Sequence, residues 1–243
     1  MTPIVISIGT THPWNVAGTG RDAAVGAVRG VRVFTAVAAV SAQSAHGVVA
    51  LHAIPAEILQ AQLATLPWDA AAAVRVGALA TLGNVRAAAA VIRARPTIPA
   101  VVDPVFSASR GGKLADDAAR FAIRDELATL PNVVLTPNLG EAAELLGSEP
   151  IAADAIGAAA AALQRRGAHA VLLKGGHLDG DPVDAMATAD GVELFREPRI
   201  AGSMHGTGCT LAMALACELA NGTPLHHAVQ AARAYVRAEI ARH

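Results

Sequence analysis

Three short uncharged runs, Ala100–Val102, Val133–Leu135 and Ala170–Leu173, constrain the fold of this chain more than any other feature. They are rich in β-branched residues and show little alternation, as strands covered on both faces should. Further strands are expected at 4–9, 32–37, 48–53 and 74–76. Helical periodicity separates them, at 22–30, 56–66, 84–94, 115–130, 140–146 and 154–166, followed by two long helices at 208–220 and Leu225–Ile240. Strand-helix alternation of this kind predicts an α/β fold, a three-layer α/β/α sandwich around a mostly parallel sheet. The stretches 184–188 and 192–195, joined by Ala189-Asp190-Gly191, carry a hairpin signal and belong at a sheet edge.

The 243 residues show no linker or charge block, so one domain spanning 1–243 is expected. The charge balance, 19 Lys+Arg against 20 Asp+Glu, leaves no electrostatic footprint for nucleic acid. Apolar stretches are too short to span a membrane, and residues 1–7 lack a basic region, so neither a membrane partner nor a signal peptide is expected. The expected setting is cytoplasmic. Cys209 and Cys217 would lie about 12 Å apart on one helix, too far for a disulfide. Ala-rich tracts such as 87–90 and 158–162 fit helix propensity rather than disorder.

Function is concentrated at His205-Gly206-Thr207-Gly208-Cys209-Thr210, which runs directly into a mostly apolar helix. The first N–H groups of a helix have no internal partner and carry the positive end of its dipole, so they suit a phosphoryl group. Glycine permits close approach, and a thiol placed there would have its ionised form favoured. A plain buried helix start, with Cys209 as a small core residue, remains the competing reading. Three more polar segments follow strand-like runs: Asp103-Pro104-Val105, Thr136-Pro137-Asn138 with Glu141, and Lys174-Gly175-Gly176-His177. In a parallel sheet such ends converge on one crevice. Asn138 and Glu141 also have the spacing of a capping box, and Asp22 that of a helix cap. A P-loop is excluded, since no Gly-x-x-x-x-Gly-Lys-Ser/Thr occurs.

These ordered blocks, with Gly9, Asp22, Ser41-Ala42-Gln43 and Gly77, resemble the hydroxymethylpyrimidine/phosphomethylpyrimidine kinases of thiamine biosynthesis, members of the ribokinase superfamily. The resemblance implies ATP and Mg²⁺ as cofactors, an aminopyrimidine alcohol as acceptor, and a homodimer. It implies an anion hole made by the N–H groups of Gly206, Thr207, Gly208 and Cys209, with Cys209 also as catalytic base. Gly9, Asp22, Gln43 and Val105 would bind the acceptor. Asn138, Glu141, Lys174 and Thr207 would bind nucleotide, and Asp103 and Glu141 would order the metal. A primary amide such as Gln43 can answer both the donor and the acceptor of an aminopyrimidine edge. A dipole-lowered thiol, from an ordinary pKa of about 8.5, would suit a base near neutrality. The alternative is that Cys209 only packs against substrate while proton loss is late and unassisted.

Departures from the family pattern cluster around the acceptor. The family's Gly-Ser-Asp-Pro-Ser-Gly-Gly-Ala-Gly is altered here, with His12 for the aspartate, Asn15-Val16 for two glycines, and Trp14 in a stiffer lid. Phe106 replaces a methionine, Ser109 a flap lysine with Arg110 adjacent, and Ala78 the methionine of Lys-Ile-Gly-Met-Leu. Two rival functions therefore stand beside the kinase reading: a pyridoxal kinase, and an inactive pyrimidine-binding regulatory protein.

Overall fold

The computed structural model describes residues 2–44, 47–108, 111–176, 180–202 and 204–242. Its strands are β1 (Ile4–Thr11), β2 (Arg32–Ser44), β3 (Gly47–Ala53), β4 (Ala71–Val76), β5 (Ala100–Val102), β6 (Val133–Leu135), β7 (Ala170–Leu173), β8 (Val183–Thr188) and β9 (Gly191–Arg196). They form a single sheet in the order β3-β2-β1-β4-β5-β6-β7-β8-β9. Every pairing from β2 through β1 to β7 is parallel. The edges are antiparallel: β3 turns back on β2, and β8-β9 is the expected hairpin beside β7.

Period-two alternation sorts the central strands between two cores. Ile6, Ile8, Val74, Val76, Val102, Leu135 and Leu173 face one side. There they pack against α2 (Ala56–Ala64), α3 (Leu82–Arg93), α4 (Asp117–Ala122), α5 (Leu139–Leu146) and α6 (Ile156–Gln164). Val5, Ala73, Val101, Val134 and Leu172 face the other, under α1 (Gly18–Val28), α7 (Thr207–Ala220) and α8 (Leu225–Ile240). Three layers result, as the alternation predicts. No described helix is long and apolar enough to cross a membrane.

The differences from expectation lie where short-range pattern is weak. β2 continues past Val37 to Ser44, because beyond β1 it gains a second partner in β3. The helix expected over 115–130 begins only at Asp117, capped by the Asp116 side chain, and widens into a π turn at Ile123–Leu127. Ala115 is instead bridged to Ala80. Helix α1 starts at Gly18 after Ala17, so Asp22 lies inside the helix and is not its cap.

Asn84 ties α3 to the β2–β3 layer: its amide donates to the carbonyls of Ala38 and Ile54, each at 3.0 Å. Asn84→Ala removes both bonds, although the Ala38 carbonyl keeps the Ile54 N–H, and is expected to cost about 1–3 kcal/mol in urea denaturation.

Candidate active site

The carboxyl ends of β4 to β7 open onto a cavity of about 790 Å³ beneath the start of α7. Parallel topology puts all these ends on one rim, which is why residues distant in sequence meet there. Gly206 caps α7 in the left-handed region, with φ 78°. A Cβ at that position would lie 2.1 Å from the Val16 carbonyl oxygen, so glycine lets the tip of α7 rest on the loop before α1. The helical ladder begins with the Thr210 N–H on the Gly206 carbonyl. This leaves the N–H groups of Thr207, Gly208 and Cys209 at the open, positively polarised end.

Below the tip lies a row of buried charges. Ser7 Oγ donates to Asp22 Oδ2 at 2.6 Å, and Arg75 Nη1 is 3.3 Å from the same oxygen. Arg75 Nη2 is 3.5 Å from Asp103 Oδ2, and Lys174 Nζ donates to Asp103 Oδ1 at 2.8 Å. A Cβ on Gly208 would stand 3.2 Å from Lys174 Nζ and 3.6 Å from Asp103 Oδ2, so the backbone of the tip lies directly over this pair. Burial works to lower the Lys174 pKa, but Asp103 and Glu141 outweigh it and hold the ammonium charged.

The Asn138–Glu141 capping box is complete. Glu141 N–H donates to Asn138 Oδ1 at 2.9 Å, and Asn138 N–H donates to Glu141 Oε2 at 2.7 Å. Both side chains line the cavity, so the structural role and a ligand role coexist. Burial pushes the Glu141 carboxyl up to about 7, with Asp103 adding to the effect and Lys174 opposing it.

At the other end the cavity is lined by Thr10, His12, Gln43, Ala78, Val105 and Phe106. Gln43 Nε2 lies 3.2 Å from His205 Nε2, so the tip of the β2–β3 hairpin touches the residue preceding Gly206. One open space thus joins the α7 tip to Gln43. Burial keeps the His12 imidazole below its ordinary range, and its Nε2 accepts the Ala17 N–H at 3.2 Å.

The structure corrects three expectations. Asp22 is fully buried and does not line the cavity; Ser7 and Arg75 occupy one of its oxygens, so it supports the site from beneath. Gly9 also lies outside the lining, where a Cβ would be 3.6 Å from Arg75 Nη1. The Cys209 thiol is pushed up, not down: burial dominates, and the Arg75 guanidinium beside it opposes. Among the described residues no group of three His, Cys, Asp or Glu forms a ready-made metal centre. Ser109, Arg110, His177 and Leu178 lie outside the described residues.

Arg75 was missed by sequence reasoning, although a lone arginine in the apolar run Ala71–Val76 was a visible signal. Arg21 was missed as well. It donates to Thr210 Oγ1 and Glu239 Oε2, each at 2.9 Å, and so fastens the first turn of α7 to the end of α8.

Residues 14–243 match the phosphomethylpyrimidine kinase family. The chain belongs to that family. It is 40% identical to a hydroxymethylpyrimidine/phosphomethylpyrimidine kinase of Rhizobium meliloti, over 99% of this chain and 91% of that protein. A thiamine biosynthesis bifunctional protein of Geobacter sulfurreducens is 35% identical, over 97% of this chain and 49% of its own length. Among solved structures, the ADP complex of Bacillus subtilis pyridoxal kinase superposes with a TM-score of 0.89 at 27% identity, covering 99% of this chain and 92% of that one. The fold is ribokinase-like, as expected.

In this chain, Glu141 binds its proton more tightly when folded than its ordinary value of 4.5 allows. Its contribution to stability is present below pH 4.5 and lost as pH rises toward about 7. Melting curves of the ligand-free protein are expected to show that decline, and Glu141→Gln to flatten it. An unchanged profile in the variant would contradict the assignment.

Proposed function

We propose that this chain is an ATP- and Mg²⁺-dependent kinase acting on the hydroxymethyl group of 4-amino-5-hydroxymethyl-2-methylpyrimidine and, as a second acceptor, on its monophosphate. The observation that carries this reading is the open α7 tip, set between Lys174 and Gln43 in one continuous cavity. Phosphoryl transfer asks chiefly for positioning and charge stabilisation. The N–H groups of Thr207, Gly208 and Cys209 supply donors to the migrating group, and Lys174 supplies a fixed cation beside it. Gln43 reads the aminopyrimidine edge, while Val105 and Phe106 give the ring an apolar wall. Asn138 and the Lys174 side of the cavity take the nucleotide.

The residues present suit the metal. Asp103 and Glu141 are two carboxylates on one cavity wall, and Mg²⁺ keeps most of its water, so a sparse donor set is adequate. When bound with ATP it would offset triphosphate charge, held by Asp103 and Glu141. Homodimer assembly, on the family resemblance, and a cytoplasmic setting, on the sequence expectations given above, belong to the same reading.

Cys209 takes the proton of the acceptor hydroxyl. Because burial keeps its thiol protonated, the rate is expected to rise with pH above neutrality. Cys209→Ser should lower kcat by roughly 10²-fold or more and remove that rise, measured by coupled ADP release. Retention of most of kcat would leave Cys209 as packing only.

The same assay, run with the pyrimidine alcohol, its monophosphate and pyridoxal, tests the substrate. Faster turnover of the pyrimidine alcohol than of pyridoxal is expected. Preference for pyridoxal would assign a vitamin B6 kinase, and absence of ADP formation with every alcohol would refute the kinase reading.

A further inference from the structure

Arg75 is the largest fully enclosed side chain among the described residues. It stands on β4 opposite Ser7 of β1, on the face covered by α1 and α7. Its guanidinium lies between Asp22 of α1 and Asp103 at the end of β5. Ser7 donates to the same Asp22 oxygen that Arg75 approaches, and Lys174 holds the other oxygen of Asp103. Gly77 makes the space, since a Cβ there would stand 2.1 Å from Arg75 Nη1.

This arrangement is a poor device for stability. Enclosed ion pairs seldom repay the desolvation of their charges. Arg75 Nε and Nη2, and Asp22 Oδ1, also have no hydrogen-bond partner. The guanidinium nevertheless forms part of the cavity wall beside Cys209. Each carboxylate comes from an element with a different task. Asp22 belongs to α1, whose entry loop supports Gly206 through the Val16 carbonyl. Asp103 fixes Lys174.

We propose that Arg75 is a positioning residue: by pairing with Asp22 and Asp103 at once, it holds α1 and the end of β5 in one fixed arrangement about the α7 tip. It keeps the alcohol and the phosphoryl group in line for transfer by fixing the elements that carry the site. This inference rests on the kinase reading for its kinetic arm only.

The test uses the full chain with ATP and 4-amino-5-hydroxymethyl-2-methylpyrimidine. Arg75→Gln is expected to lower kcat roughly a hundredfold, because small displacements of reacting groups cost that much. KM for both substrates should change by less than about threefold, the split expected when ground-state binding is intact. Arg75→Lys, which keeps a cation, should recover most of the loss. Gly77→Ala leaves every charge in place but displaces Nη1 from Asp22, and should reproduce the kcat defect. Adding Asp22→Asn to Arg75→Gln should cost little more, as members of one network are not additive.

Amide hydrogen exchange of the ligand-free protein supplies the arm that needs no activity. Arg75→Gln should speed exchange in Gly18–Val28 and at 206–209, while Asn84→Ala should not. The proposal is overturned by a folded Arg75→Gln that keeps kcat within about threefold, or by a loss that falls wholly on KM. If Arg75→Gln does not fold, a Gly77→Ala protein with wild-type kcat overturns it. Should the wild type turn over no alcohol, the kinase reading fails separately, and unchanged exchange in Arg75→Gln alone decides against the positioning role.

Discussion

The site depends on an alternating row of enclosed charges, Asp22, Arg75, Asp103 and Lys174, beneath the tip of one helix. Taking each of these groups out of water costs several kcal/mol, and only close opposite charges compensate. The row is balanced, with two anions against two cations, and neutralising any one member would strand its neighbours. Its members come from α1, β4 and the ends of β5 and β7, so the charge pattern links elements that hydrophobic packing alone would leave free to slide. Glycines at 77 and 208 give the row its room, one beside the guanidinium and one above the Lys174–Asp103 pair.

A balanced row under an open helix end leaves the cavity ready to accept negative charge. Two further acids are arranged the same way. Glu141 titrates at about 7 and the Cys209 thiol is raised by burial, so near neutrality each holds its proton to a substantial degree when the cavity is empty. Ligand charge then decides their state. A cation near Glu141 favours its carboxylate. Burial outweighs the groups that favour the Cys209 thiolate, which are the Arg75 guanidinium and, to a lesser degree, the Gly18 backbone.

Much of this was legible before any coordinates. The short uncharged runs at β5, β6 and β7 are strands with the bounds expected, because a strand covered on both faces has no competing pattern. The Gly206–Cys209 turn, the capping box and the approach of Gln43 to the tip follow from motif chemistry and topology. What escaped was long-range. β2 reaches Ser44 only because β3 pairs with it, which its Ala-rich stretch does not announce. Asp22 carries a helix-cap signature yet lies within α1, bound to residues of β1 and β4. Arg75 could not be ranked by spacing, since its meaning depends on two carboxylates that the sheet brings to it.

The most direct measurement is a crystal structure of the full chain with ADP, a planar metal fluoride and the pyrimidine alcohol. The account predicts the fluoride against the N–H groups of Thr207, Gly208 and Cys209, with Lys174 on one side, the hydroxymethyl oxygen beside Cys209, and the Asp22–Arg75–Asp103 contacts intact. A fluoride seated away from the α7 tip, or an Arg75 swung off either carboxylate in that complex, would contradict it.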